Sequence, residues 1–265
     1  MSFCSFIWPS PLFNIISLIT IFRKHQLKGL EEIKNMKIQI LPLVTGAQKA
    51  TGLTVIIDVF RAFSLEAYMY ASGAKKVIPV KTVEDALALK KKNPSYILVG
   101  ERKGIKVEGF DYGNSPSEFV GVDLSGKTVI HTTSAGVLGL ASAVNASQIV
   151  TGALVNAKAT AKYILEQNPE VVSIVPMGWE GKIETEEDAL CADYLKALLE
   201  NRTLNDLQER VDLLKQQEGA KFFDPNKPQF PEDDFWLCTK VDIISGVNII
   251  SKNGNQIQSE WIKYE

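Results

Sequence analysis

The stretch LTVIIDVFRAFSLEAYMYASGA, residues 53 to 74, decides the fold class. Its first half is an apolar, β-branched run that ends at Asp58 and predicts a buried strand. Its second half spaces apolar residues as a helix does, and Gly73 is a typical residue with which to close that helix. A strand that leads directly into a helix is one βα unit, the building block of α/β folds.

Further units of this kind follow along the chain. KKVIPV and YILVG predict short strands on either side of the helix TVEDALALKKK, where Thr82 is a candidate N-cap with Asp85 three residues later. Three more strand-turn-helix segments begin at KTVIHTTSAG (127 to 136), SQIVTGALVN (147 to 156) and EVVSIVPMGWEG (170 to 181). This alternation predicts a three-layer α/β/α fold with a mostly parallel, or mixed, sheet.

The two ends of the chain differ from these units. Met36 opens MKIQILPLV, which predicts the first strand, so we expect residues 36–265 to form a single domain. Residues 1–35 are expected to be an N-terminal extension outside the fold, because the strand and helix pattern begins only at Met36. Their apolar run PLFNIISLITIF is short for a membrane span, and RKH follows it instead of a small-residue cleavage site. Near the C-terminus, residues 222–242 predict an ordered excursion rather than a helix, and VNIISKNGNQIQSEWIKYE predicts a hairpin around NGN.

Composition excludes several classes of function. A net charge of −2 with scattered Lys and Arg offers no basic surface for nucleic acid. Three widely spaced cysteines fit neither a disulfide framework nor a zinc site, which indicates a cytoplasmic protein, and two histidines cannot build a His-rich metal centre. Any metal would therefore be held mainly by oxygen atoms. We expect no membrane partner, and the sequence leaves a homo-oligomer open.

Polar residues cluster directly after the predicted strands. In a parallel sheet the carboxyl ends of the strands lie together, and ligands bind there. The shared position therefore predicts one polar site. Its candidate members are Asp58, Arg61, Ser64, Glu101, Arg102, Thr132, Thr133, Ser134, Asn156, Gly178 and Glu180.

The segment GERKGIKVEGFDYGNSPSEF, residues 100 to 119, combines glycine with charge after a predicted buried strand. One interpretation is a solvated loop in which Asp111 and Asn114 only close turns. The other is that the segment brings an acid, Glu101, and a cation, Arg102, to the predicted site. We favour the second interpretation, because glycine, carboxylate and arginine follow the strand so closely.

Several of these segments together resemble the motifs of the 2-phosphosulfolactate phosphatase (ComB) family. The resemblance rests on VIIDVFRAFS, GERKGIKVEGFDYGNSPSEF, KTVIHTTSAG, GALVNAKATAKYI and EEDALCADYL, and it covers roughly residues 37 to 250. It implies an α/β/α hydrolase that uses Mg²⁺ to remove phosphate from 2-phosphosulfolactate, a step associated with coenzyme M or sulfolactate synthesis. The expected partner is therefore a small anionic phosphorylated substrate.

Phosphate monoester hydrolysis requires groups that neutralise the phosphoryl oxygens and position a nucleophile. We expect Asp58, Glu101 and Arg61 to be catalytic. Oxygen ligands for Mg²⁺ would come from the acids, which are Asp58, Glu101, Asp111, Glu187 and Asp188. The substrate would be held by the arginines and by hydroxyl and amide groups, namely Arg61, Ser64, Arg102, Asn114, Thr132, Thr133, Ser134 and Asn156.

Three alternatives stay open at the level of sequence. The nucleophile could be a metal-activated water, or a carboxylate such as Asp58 that forms an acyl phosphate. The substrate could be another phosphorylated 2-hydroxy acid. The chain could also be a non-catalytic anion-binding protein on the same fold.

Overall fold

A computed structural model describes residues 36–253 and 256–264 of the protein. The strands are β1 (Lys37–Ile40), β2 (Gly52–Ile57), β3 (Lys76–Pro79), β4 (Ile97–Arg102), β5 (Ile105–Lys106), β6 (Thr128–Thr132), β7 (Ala146–Gly152), β8 (Val171–Pro176), β9 (Gly246–Asn253) and β10 (Gln256–Lys263). The α-helices are α1 (Leu43–Lys49), α2 (Ala62–Ala71), α3 (Val83–Lys92), α4 (Gly136–Ser142), α5 (Ala157–Gln167), α6 (Glu186–Leu199), α7 (Leu207–Leu213) and α8 (Glu232–Thr239).

The strands form two sheets in which parallel pairs predominate. The larger sheet has the order β1-β8-β2-β7-β9-β10, and its first four strands are parallel. The smaller sheet has the order β3-β6-β4-β5, and only the short β5 runs antiparallel. The α/β class with helices layered on mostly parallel strands is thus confirmed. The division of the strands between two sheets was not part of the prediction.

Side-chain contacts join the two sheets where β10 lies beside β3. The Ser259 hydroxyl donates to the carbonyl oxygen of Val77 over 2.6 Å. The Tyr70 ring stacks on the Trp261 ring with 4.9 Å between their centroids. Because these contacts join residues that are far apart in the chain, no local pattern in the sequence predicts them.

The helix boundaries follow the local chemistry of the sequence. The Thr82 hydroxyl accepts a hydrogen bond from the Asp85 amide at 3.1 Å, which confirms the predicted N-cap of α3. Gly73 closes α2 as predicted: it follows the helix and adopts a φ of 94°, in the left-handed region. Ile56 of β2 and Phe63 of α2 are buried in the same apolar core, so the opening βα unit packs helix against sheet.

The C-terminal region confirms one prediction and corrects another. β9 and β10 pair antiparallel from Gly246↔Lys263 to Asn253↔Gln256, which is the predicted hairpin. The prediction that residues 222–242 contain no helix is wrong, because α8 lies within them. The start signal was present in the sequence: Pro231 occupies the N-cap and three acids, Glu232 to Asp234, fill the first turn.

Residues 37–265 form one compact unit. The predicted extension, residues 1–35, lies outside the described residues, so the domain boundary at Met36 stays a prediction. Among the residues that the structure describes, no helix is long and apolar enough to cross a membrane.

Candidate active site

A pocket lies where the carboxyl ends of strands from both sheets meet. Its volume is about 530 Å³, a value that includes the part of the pocket open to solvent. Asp58 and Gly178 follow β2 and β8 of the larger sheet, while Glu101 and Ser134 come from β4 and the end of β6 in the smaller sheet. The seam between the sheets therefore forms the site. Its lining comprises Asp58, Phe60, Arg61, Glu101, Lys103, Gly104, Asn114, Ser134, Ala135, Gly178, Trp179, Glu180, Glu187, Asp188 and Phe230.

Asp58 and Asp188 are buried acids whose carboxylates are oriented by backbone amides. Oδ1 of Asp58 accepts from the Ala62 amide at 3.0 Å. Asp188 uses both oxygens, at 2.7 Å from the Val59 amide and 2.8 Å from the Gly178 amide. Burial raises the pKa of Asp58 to about 6, and the nearby Glu101 carboxylate adds to the rise. Burial, followed by repulsion from neighbouring acids, also raises the pKa of Asp188 well above its usual value.

Glu187 is the buried acid of the pocket that the protein leaves least satisfied. Its side chain is 3% exposed, and its Oε2 atom has no hydrogen-bond partner among the described residues. Burial raises the pKa of Glu187 to about 7, although the positive charge of Lys221 opposes the rise. A buried carboxylate oxygen without a donor is costly, which makes this atom a candidate ligand for a cation.

Glu101 fastens the glycine-rich segment to the end of β6. Its Oε1 atom accepts from the Ser134 amide at 2.7 Å, and its Oε2 atom accepts from the Gly104 amide at 2.7 Å and from the Ser134 hydroxyl at 3.2 Å. Gly104 has φ of 80°, and a Cβ at this position would lie 2.4 Å from Cζ of Phe230. The turn after Glu101 therefore requires glycine.

Arg61 lines the pocket but is already paired. Its NH1 group donates to Oδ2 of Asp234 at 2.6 Å and to the Gln229 carbonyl oxygen at 3.0 Å, and its NH2 group donates to the Gly104 carbonyl oxygen at 3.2 Å. The guanidinium also lies 4.9 Å from the centre of the Phe230 ring. Arg61 thus has few donors left for a substrate.

Asn114 is held at the pocket by a buried histidine. Oδ1 of Asn114 lies 3.3 Å from Nε2 of His131, which is 1% exposed. Burial lowers the pKa of His131 to about 3, so the ring is neutral and its Nε2–H can donate to the Asn114 oxygen. This contact leaves the amide nitrogen of Asn114 as a donor toward the pocket.

Of the residues selected from the sequence, the pocket lining includes Asp58, Arg61, Glu101, Asn114, Ser134, Gly178, Glu180, Glu187 and Asp188. The others lie outside that lining and have partners elsewhere. Arg102 donates to the carbonyl oxygens of Glu101 and Lys81 and to the Thr132 hydroxyl. Asp111 accepts from the Leu98 amide at 2.8 Å.

The remaining hydroxyl and amide candidates bond to nearby backbone. The Ser64 hydroxyl donates to the Val59 carbonyl oxygen at 2.7 Å, and the Thr133 hydroxyl accepts from the Val137 amide at 3.2 Å. Asn156 accepts from the Ala153 amide and donates to the Gly246 carbonyl oxygen. These three side chains shape the turns after β2, β6 and β7 rather than facing the pocket.

Sequence reasoning missed the residues that the C-terminal excursion brings to the site. Asp234 neutralises Arg61, Phe230 packs against Gly104, and the Lys221 ammonium carries positive charge close to Glu187 and Asp58. No local signal relates these positions to a strand end. Lys103, beside the selected Arg102, could have been found from its place in the glycine-rich segment.

Fold and pocket together define an α/β protein with a polar ligand site, in which buried acids and cations converge at strand ends. Comparison with known proteins specifies the class. The family model for 2-phosphosulpholactate phosphatase matches residues 40–253, and the chain belongs to this family.

Curated relatives agree with the family match. The chain is 36% identical over 191 residues to a protein of Bacillus subtilis (strain 168), and the aligned region covers 71% of this chain and 82% of the relative. It is 40% identical over 177 residues to a protein of Carboxydothermus hydrogenoformans, covering 66% and 73%. A protein of Clostridium beijerinckii is 34% identical over 206 residues, covering 72% and 86%. All three carry the name "Probable 2-phosphosulfolactate phosphatase".

Proposed function

We propose that the protein hydrolyses the phosphate ester of 2-phosphosulfolactate with the help of Mg²⁺, giving sulfolactate and inorganic phosphate. The observation that supports this most is the pocket itself, in which buried acids and polar side chains converge in a chain whose relatives are named for this substrate. The reaction forms a bond between a water oxygen and phosphorus, and it breaks the bond between phosphorus and the ester oxygen.

The acids of the pocket fit Mg²⁺ in their chemistry. They offer only carboxylate oxygens, the ligands that this ion prefers. Glu187 has a buried oxygen without a donor among the described residues. Burial is the main cause of the raised pKa values of Asp58 and Glu187, and a bound cation would offset this cost to their carboxylate forms. In the described part of the chain, no three Asp, Glu, His or Cys side chains form a ready-made metal cage. That suits an ion that usually keeps several waters and takes one or two carboxylates.

In this proposal Asp58 and Glu187 hold the ion, and Asp188 keeps the backbone after β2 and β8 in place through its two amide contacts. When bound, Mg²⁺ would neutralise charge on the phosphoryl oxygens as the phosphorus–oxygen bond breaks. Glu101 positions Ser134 and Gly104, so its role is to shape the site. The Asn114 amide and the Lys103 ammonium line the pocket as donors for substrate oxygens, beside the Ser134 hydroxyl that donates to Glu101.

The test is release of inorganic phosphate from purified protein. The panel contains 2-phosphosulfolactate, 2-phospholactate and 3-phosphoglycerate, each assayed with Mg²⁺ and with excess EDTA. The proposal requires turnover of 2-phosphosulfolactate that depends on Mg²⁺. Turnover that is unchanged in EDTA would refute the metal, preference for another phosphorylated acid would refute the substrate, and binding without turnover would indicate an anion-binding protein.

A further inference from the structure

Lys221 is an ammonium surrounded by aromatic rings at the edge of the pocket. It belongs to the 3₁₀ helix Glu218–Phe223, so in the structure the C-terminal excursion begins at Glu218 rather than at the predicted residue 222. Its Nζ atom lies 5.1 Å from the ring centre of Trp179, 5.4 Å from that of Phe230 and 5.5 Å from those of Phe60 and Phe222. Four ring faces thus fix where this charge stands.

The surroundings of Lys221 connect it to the active site. Phe60, Trp179 and Phe230 all line the pocket, so the ammonium lies next to it. The charge of Lys221 acts on Glu187, Asp58 and Asp188. These acids attract the ammonium from a distance, because within the described residues Lys221 forms no hydrogen bond and has no carboxylate oxygen within 4.0 Å.

An ammonium in this position has donors that the protein does not use. Aromatic faces attract its charge but accept none of its three N–H groups as a carboxylate or carbonyl oxygen would. Burial also lowers the pKa of Lys221, which reflects the loss of water around the charge. A partly buried cation of this kind is best satisfied by an anion that enters the pocket.

We propose that Lys221 binds a second, non-reacting anionic group of the substrate, a sulfonate or a carboxylate, and thereby selects substrates that carry one. This rests on the proposed function, which places the phosphoryl group at Asp58 and Glu187. The arginine of the pocket lining, Arg61, is occupied by Asp234 and two carbonyl oxygens, so it does not compete for this group.

The chain offers a matched control for Lys221. Lys215 lies in the same region and is also held by two rings, with Nζ 4.6 Å from the Phe223 ring centre and 4.5 Å from that of Trp236. It lines a different pocket on α7 and α8, away from the acids of the active site. Lys215→Met therefore removes the same kind of cation–π contact without touching the site.

The experiment compares wild type, Lys221→Met, Lys221→Arg and Lys215→Met on three substrates. These are 2-phosphosulfolactate, 2-phospholactate, which lacks the sulfonate, and 2-phosphoisethionate, which lacks the carboxylate. We expect Lys221→Met to lower kcat/KM for 2-phosphosulfolactate about 10- to 100-fold, mainly through KM, because a charge-assisted hydrogen bond is lost. For the one analogue that lacks the group bound by Lys221, the loss should shrink to less than about threefold. Lys221→Arg should restore part of the activity, and Lys215→Met should behave as wild type.

An equal loss on all three substrates, or no loss on any, would overturn the assignment of Lys221. Absence of turnover by the wild-type protein on every substrate would instead overturn the proposed function. Calorimetric binding of sulfolactate, sulfate and lactate to the same variants needs no turnover, so it tests Lys221 in either case. If Lys221→Met does not fold, as melting will reveal, Lys221→Gln and Lys221→Arg carry the same comparison, and anion affinities unchanged in both would refute the inference.

Discussion

The ion pair between Arg61 and Asp234 gives the sharpest stability prediction. Asp234 is fully buried on α8, and its carboxylate also accepts from the Ser115 hydroxyl and from the Ser117 amide at 2.9 Å. Asp234→Asn removes the charge while keeping the volume. It leaves the Arg61 guanidinium, 3% exposed, with two carbonyl oxygens and a ring but no counter-ion.

Breaking a buried ion pair by removing one partner destabilises a protein by about 3–5 kcal/mol, because the remaining charge stays desolvated. For a domain of this size, each kcal/mol lowers Tm by roughly 2–4 °C, so the expected fall is roughly 6–20 °C. Circular dichroism during thermal and urea unfolding measures both quantities. Asp233→Asn is the matched control, since Asp233 is the exposed neighbour on the same helix.

The double variant Arg61→Met with Asp234→Leu separates charge from packing. If desolvation of the unpaired guanidinium causes the loss, replacing both partners by apolar side chains should recover most of the stability. The reasoning would be refuted if Asp234→Asn lowered the free energy of unfolding by less than about 1 kcal/mol, or if the double variant were less stable than Asp234→Asn.

Three further outcomes are expected. Glu187→Gln should lower kcat about 100-fold or more and raise the Mg²⁺ concentration needed for half-maximal rate. Glu186 is the exposed preceding residue, and Glu186→Gln should change neither quantity. Equal Mg²⁺ dependence in both variants would contradict the ligand assignment. Burial raises the pKa of Glu66 from its usual 4.5 to about 8, so the folded state retains a proton through that window and stability falls as pH rises across it. Glu66→Gln should therefore be more stabilising relative to wild type at pH 8 than at pH 5 in urea unfolding, and a pH-independent difference would argue against this. A chain that starts at Met36 should unfold cooperatively with an unchanged Tm, because residues 37–265 form one compact unit; a lower Tm would place residues 1–35 in the fold.

The sequence predicted the parts of the fold that local patterns encode. The βα unit at residues 53 to 74, the Thr82 cap and the C-terminal hairpin depend on neighbours a few positions away, and periodicity reads such neighbours well. The junction between the two sheets depends on contacts such as that between Val77 and Ser259, which are 182 residues apart. The sequence analysis missed α8 for a different reason. Pro231 and the acids that follow it are a local helix-start signal, but the many prolines and aromatic residues of the segment favoured an irregular structure.

For the candidate site, position after a strand predicted proximity but not direction. Asp58 and Glu101 reach the pocket, yet Ser64 and Thr133, which also follow strands, bond to their own turns. Short hydroxyl side chains find backbone partners within reach more easily than longer carboxylates do. A rule that selected only acids after strand ends would have dropped these turn formers while keeping Asp58 and Glu101.

The C-terminal excursion has the least regular sequence and controls the pocket most directly. Asp234 forms an ion pair with Arg61, the arginine that the sequence analysis assigned to the substrate. The same segment brings Lys221 to the pocket edge. At the site, this segment therefore neutralises one cation, Arg61, and supplies another, Lys221. Its residues belong to neither sheet, so apart from buried anchors such as Asp234 they can vary without disturbing the βα units. We therefore expect substrate selection in relatives of this fold to follow changes in the excursion, while the acids after β2 and at the start of α6 set the reaction.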